Sequence, residues 1–216
     1  MIHLEKVHKS YRKDGHVTPV LSVADLRISA GERVALVGKS GSGKTTLLNL
    51  LSGLVRADSG LIQIDGERLS SMSEAACDRF RARAVGYMFQ SFHLLEGFSA
   101  LENVELGASF ASRKADRKEA RHLLEALELG DRIRHLPREL SIGQQARVAL
   151  ARALVGGPKL VLADEPTGAL DAETASTILE LLLSKAKEQG VTLVVATHDM
   201  EVAAAFDRTL RVEDLL

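Results

Sequence analysis

What this chain lacks narrows it first. It has a single cysteine, Cys77. No intramolecular disulfide can form, which fits a reducing compartment, and read by itself Cys77 is a small interior residue. Neither sign of charge is in excess. Lys and Arg number 28 against 29 Asp and Glu, a formal net charge of -1, so there is no basic face for nucleic acid and no acidic tail. Nucleic acid is therefore not an expected partner. No apolar run approaches the ~18 residues needed to cross a bilayer. Leu193 to Ala196 is only a short core strand. Met1 to Ser10 carries charges throughout, unlike a secretory leader. The expectation is a soluble protein that meets a membrane, if it does, through a partner. Repeats, low-complexity segments and flexible linkers are missing, and the spacing of His, Cys and carboxylates offers no structural zinc site. At 216 residues and 45% hydrophobic, the chain suits one globular domain with room for an inserted subdomain.

What is present centres on Gly38-Lys39-Ser40-Gly41-Ser42-Gly43-Lys44-Thr45. This stretch fits G-x-x-x-x-G-K-[ST], the phosphate-cradling loop. Its glycines let successive backbone N–H groups point inward at an anion. Lys44 adds a positive charge for β- and γ-phosphates, Thr45 offers a hydroxyl to Mg²⁺, and Thr46 can reach an α-phosphate. The flanks agree. Arg33 to Val37 reads as a buried strand entering the loop. Lys44 to Leu54 reads as a helix with Leu47, Leu48, Leu50, Leu51 and Leu54 on its inner side. A helix N-terminus at the end of such a loop is an anion site.

Along the chain, residues 2–7 alternate apolar and polar like an edge strand. Lys9 to Pro19 is polar and turn-rich, and holds Tyr11 among Lys9, Arg12 and Lys13. A surface tyrosine is the plain reading of Tyr11; a ring there could also stack on a base. Val20 to Ile28 and Leu61 to Gly66 read as strands, which together suggest an antiparallel β patch. Residues 67–84 are helical in part. Val85 to Met88 is a short strand that delivers Gln90. Phe89 to Phe98 is rich in large apolar residues without helical spacing, either a partner-docking surface or the core of a helical subdomain. Ala115 to Leu129 reads as an amphipathic helix stopped by Gly130. Ser141 is a natural N-cap for a helix running to Val155.

Leu160 to Glu165 ends a run of four apolar residues in two acids. It reads as a buried parallel strand with carboxylates at its C-terminal tip, where open α/β sheets bind ligands. Asp164 is placed to hold Mg²⁺ through water and Glu165 to polarise an attacking water. Asp171 can cap a helix running to about Gln189, with Ile178, Leu181 and Leu182 inward, and Gly190 stopping it. Val191 to Thr197 is a fifth core strand, and His198 at its end is placed to contact a γ-phosphate.

Taken together these pieces resemble the ATP-binding-cassette (ABC) ATPase family over essentially the whole chain. The matches run in order: Tyr11 as base-stacking loop, Gly38 to Thr45 as Walker A, Gln90 as Q-loop, Leu140 to Gln144 as signature, Leu160 to Glu165 as Walker B, Ala169 to Asp171 as D-loop, His198 as switch histidine. The resemblance implies an α/β P-loop NTPase (RecA-like) core with an antiparallel β subdomain and a helical subdomain inserted over about residues 91–157. It implies ATP and Mg²⁺ as cofactors and a head-to-tail dimer with two ATP molecules in its interface. Gly38, Lys39, Ser40, Gly41, Ser42, Gly43, Lys44, Thr45 and Thr46 of one chain would then face Ser141, Gly143, Gln144 and Asp171 of the other. Glu165 would be the general base. Lys44 and His198 would stabilise charge, and Thr45, Gln90 and Asp164 would hold the metal and the water.

Gly86 to Gln90 and Glu165 to Asp171 are most similar to the branch of lipoprotein-release, macrolide-export and cell-division ATPases. That branch implies a cytoplasmic subunit, peripheral on the inner face of the membrane, working with a separate permease-type membrane protein. Two alternatives belong to other classes: a soluble family member acting on DNA or ribosomes, and a non-transport regulator of a cell-envelope process. Ile142 departs from the family signature, which has Gly there. Its Cβ restricts the backbone, but Ser141 and Gly143 are kept, and activity is expected.

Overall fold

The computed structural model describes residues 1–13, 15–110 and 117–215. Two sheets organise them. The larger is parallel throughout, in the order β6-β7-β8-β3-β9. Its strands are β3 (Arg33–Val37), β6 (Val85–Met88), β7 (Leu160–Asp164), β8 (Thr192–Thr197) and β9 (Arg208–Arg211). The smaller is antiparallel, β2-β1-β4-β5, from β1 (Ile2–Lys13), β2 (His16–Ile28), β4 (Ser59–Ile64) and β5 (Glu67–Arg68).

Strand alternation builds two cores, one on each face of the parallel sheet. Leu160, Leu162, Val194 and Ala196 face α1 (Lys44–Leu51) and the antiparallel sheet. Val161, Ala163, Leu193 and Val195 face the other way, onto α5 (Ile142–Leu154) and α6 (Ala172–Glu188). Helices α3 (Ala100–Phe110) and α4 (Arg117–Ala126) pack with α5 in the same cluster. Helix α2 (Glu74–Ala84) leads into β6, and α7 (Met200–Ala203) follows β8. Buried on both faces, the central strands are continuous apolar runs, as parallel strands require.

Three expectations are corrected. Strand β1 is central, flanked by β2 and β4, and extends to Lys13; only its first half carries the alternating pattern. Leu54 lies beyond the end of α1 and is 46% exposed, not inward. The helix ending near residue 129 closes earlier, at Ala126, and Glu128 rather than Gly130 turns left-handed (φ 59°) while Leu129 N–H bonds back to Leu124 O. Its expected start at Ala115 lies outside the described residues. Strand β9 was not foreseen: three of its four residues are polar and exposed, and Leu210 alone gives no hydrophobic pattern. Among the described residues no helix is long and apolar enough to cross a membrane.

Candidate functional site

Strands β3, β7 and β8 lie side by side and end at one rim of the parallel sheet. The turns after them meet in a cavity of about 500 Å³ lined by Val20, Ser40 to Thr46, Gln90, Asp164, Glu165 and His198. The Gly-rich loop reaches α1 through Gly43, the N-cap, at φ 101°. Only glycine takes that angle without strain, and a β-carbon there would stand 3.0 Å from the Val20 carbonyl oxygen. No acidic residue occupies the first turn of α1, so its positive end is not offset. The Ser42 hydroxyl is buried with no hydrogen-bond partner. A Gly-rich loop opening a helix N-terminus, an unpartnered buried hydroxyl and a lysine fit a phosphate chain.

Lys44 is buried and its ammonium donates to the carbonyls of Gly38 (2.7 Å) and Lys39 (3.1 Å). It lies 3.9 Å from Glu165 Oε1. Thr45 Oγ1 donates to Asp164 Oδ2 at 2.7 Å. Burial holds the Asp164 carboxyl above the usual carboxylate range, against the pull of the Thr45 hydrogen bond; the Glu165 charge pushes the same way as burial and Lys44 opposes it. A hydroxyl and a carboxylate side by side are hard oxygen donors. They fit Mg²⁺ taken by one or two protein ligands with phosphate and water completing the shell. Among the described residues no cluster of three or more His, Cys, Asp or Glu could form an all-protein metal cage.

Glu165 follows β7 in the left-handed region (φ 46°), with its N–H on Ala196 O at 2.9 Å. That backbone turn swings its carboxylate toward both Lys44 and His198, whose Nδ1 is 2.9 Å from Glu165 Oε2. Gln90 is exposed at the cavity wall, close to Gly168.

The other expected residues are elsewhere. Gly38 and Lys39 line an adjoining cavity with Arg211 and Glu213. Tyr11 is 42% exposed beneath the Lys9 ammonium (5.4 Å) and is not part of the phosphate cavity wall. Ser141, Gly143 and Gln144 line a different cleft, with Thr174. There Ser141 and Gln144 form a reciprocal capping box on α5, and Asp171 caps α6 through Thr174 N–H at 3.0 Å. Ile142 is the first residue of α5 and 54% exposed, at a position that needs no glycine angle. Sequence reading missed Glu213, whose carboxylate accepts Lys39 N–H at 3.0 Å, and Val20 in the cavity wall. Neither carries a local motif that could have revealed it.

The parallel sheet, the Gly-rich loop opening a helix, and two carboxylates on the neighbouring strand tip define a P-loop nucleotide-binding protein. The pattern of the ABC transporter family matches residues 21–168. The macrolide export ATP-binding/permease protein MacB of Rhodopirellula baltica is 47% identical over 218 residues, covering 99% of this chain, which spans only 32% of that relative's length. The lipoprotein-releasing system ATP-binding protein LolD 2 of Caulobacter vibrioides is 46% identical over 98% of this chain and 92% of its own. A dimeric, post-hydrolysis structure of the ATP-binding cassette MJ0796 bound to ADP and Pi is 38% identical, with a TM-score of 0.89 over 98% of this chain and 94% of that one. The chain belongs to the ABC transporter family, as an ATP-binding subunit of the branch that includes LolD and MacB. The family implies ATP hydrolysis, and the fold is the expected P-loop core with its antiparallel and helical additions.

Proposed function

We propose that this subunit hydrolyses ATP to drive a separate, permease-type integral membrane subunit, through ATP-dependent closure of a head-to-tail homodimer on the inner face of the membrane. The observation that carries the reading is the division of the site. Gln90, Asp164, Glu165, His198 and residues Ser40 to Thr46 of the Gly-rich loop line one cavity, while Ser141, Gly143 and Gln144 line another cleft of the same chain, with Asp171 bonded to Thr174 in its wall. Groups that act on one phosphate but sit on two surfaces are joined when a second copy turns one surface onto the other, and a two-fold axis completes both sites at once. The dimeric state of the MJ0796 structures agrees.

In this reading Lys44 and the loop N–H groups hold the β- and γ-phosphates. Thr45, Asp164 and Gln90 hold Mg²⁺, which when bound neutralises charge on the phosphate oxygens. Glu165 accepts a proton from the attacking water, and His198 fixes the Glu165 carboxylate through Nδ1 and stabilises charge on the γ-phosphoryl. The partner's Ser141 presents the positive end of its capped helix to the same group. Tyr11 stacks on the base. Residues 91–157 act as the helical subdomain, and the half-exposed Leu95 and Phe98 on its surface support contact with the membrane subunit.

Replacing Glu165 by Gln removes the base and keeps the shape. On a sizing column with saturating ATP and Mg²⁺, Glu165→Gln should elute as a dimer and without nucleotide as a monomer. A monomer under both conditions overturns the head-to-tail reading. The same variant, purified from its native membranes with ATP and Mg²⁺, should bring an integral membrane protein with it; its absence overturns the coupling.

A further inference from the structure

Two residues beyond Gln90 the backbone turns left-handed twice in succession, at Phe92 (φ 57°) and His93 (φ 47°). Both side chains carry a Cβ that resists this conformation, so something must hold it. The holder is Arg152, in the last turn of α5. Its Nη1 donates to the His93 carbonyl at 2.6 Å and its Nη2 to the Phe92 carbonyl. A planar fork suits two adjacent carbonyls as a single ammonium does not. Burial pushes the guanidinium below its ordinary value. Among the described residues Arg152 forms no ion pair with a carboxylate, so its charge is directed at these two oxygens.

The segment further on is tied down as well. Asn103 of α3, fully buried, accepts Leu95 N–H at 2.8 Å and donates to the carbonyls of Leu95, Phe98 and Ser99. The chain after Gln90 therefore follows α3 and α5, although Gln90 itself lines the phosphate cavity. Helix α5 has 13 residues, about 20 Å of rigid rod. Arg152 grips the Gln90 loop at one end, and Ser141 and Gly143 stand at the other.

We propose that Arg152 is a positioning residue for ATP hydrolysis: it locks the Gln90 loop to α5, so that Gln90 and the Ser141–Gly143 end of that helix move as one unit. The proposal rests on the role given to Gln90 above. It makes α5 a lever whose two ends report on two nucleotides at once, one in this chain's cavity and one in the partner's.

The test is a double-mutant cycle in steady-state ATPase assays, with Mg²⁺ titrations and thermal melts on every variant. The variants are Arg152→Met, Gln90→Ala and the pair. Arg152→Met keeps the apolar stem and loses the fork. It should lower kcat by roughly 2- to 30-fold, the range of couplings carried through packed elements. It should also raise the Mg²⁺ concentration giving half-maximal rate and leave KM for ATP unchanged. In the Gln90→Ala background it should cost nothing further. Equal losses in both backgrounds, or a change in KM alone, overturn the positioning role while leaving that of Gln90 intact. If Gln90→Ala turns over normally, the Gln90 reading falls and this proposal with it. Should Arg152→Met fail to fold, the same cycle with Arg152→Lys decides, with a partial loss of kcat expected in the wild-type background and none beside Gln90→Ala.

Discussion

Gly86 offers a direct measure of how closely the site's scaffold is packed. It lies in β6 where that strand crosses the end of α5. A β-carbon built on it stands 1.8 Å from the Ala153 carbonyl oxygen and 2.8 Å from the carbonyl carbon. Non-bonded carbon and oxygen approach to about 3.3 Å, so Gly86→Ala must drive helix and strand apart by about 1.5 Å. Overpacking costs about 1–3 kcal/mol and occasionally more. Here both clashing groups are backbone in regular elements, with no rotamer to yield, which places the cost near 3 kcal/mol. For a chain of this size each kcal/mol lowers Tm by about 2–4 °C, so Gly86→Ala should melt roughly 6–12 °C below wild type. Turnover should fall with it, since β6 delivers Gln90. Gly97→Ala is the control: its β-carbon meets nothing within 4 Å and its φ is ordinary, so its melt should be unchanged. A Gly86→Ala protein melting within about 2 °C of wild type by circular dichroism refutes the packing argument.

Asp164→Asn should separate stability from activity. Because burial raises the Asp164 pKa, the folded state binds that proton more tightly than the unfolded chain does, and stability falls as pH climbs from the ordinary carboxylate range through the raised value. The variant should therefore melt higher than wild type at pH 7, lose that advantage in acid, and have no Mg²⁺-dependent turnover; an equal or lower Tm at pH 7 counts against it. Ser141→Ala removes the cap on Gln144 N–H and should cost about 1 kcal/mol in urea unfolding. A change under about 0.3 kcal/mol would mean the capping box is idle. Ile142→Gly should leave turnover unchanged or raise it, because the side chain is half-exposed at a helical position; a loss of about tenfold or more in kcat/KM would show that Ile142 contributes to the transition state.

The parts of the fold that were readable carry their cause locally. Arg33 to Val37 is a parallel strand whose last four residues, Val34 to Val37, are covered on both faces and leave no polar position, and strand and helix flanks fixed the Gly-rich loop between them. Ser141 and Asp171 as caps, and Leu160 to Asp164 as a strand, were legible for the same reason. What was illegible depends on distant partners. The far half of β1 pairs with β2 as an exposed ribbon, where nothing enforces alternation. The path from Gln90 to Phe98 follows carbonyls captured by Arg152 and Asn103, 59 residues away and on the next helix, respectively. Gln90, Asp164, Glu165 and His198 line one cavity, each at or just beyond a strand end, but the separation of Ser141 from that cavity is a property of topology that no short pattern encodes.

The order of the parallel sheet also governs how the protein comes off the ribosome. Strand β3 delivers the Gly-rich loop, yet its two neighbours, β8 and β9, are made only after β4 to β7 and α1 to α6. At ordinary rates of synthesis, about 10–30 s separate Val37 from Arg208. Until β8 is made the loop-bearing strand has no ladder on either side, and until β9 is made it can pair on one side only. A nascent chain thus cannot hold the Gly-rich loop in its finished sheet, and nucleotide can stabilise that sheet only in chains that have passed β9.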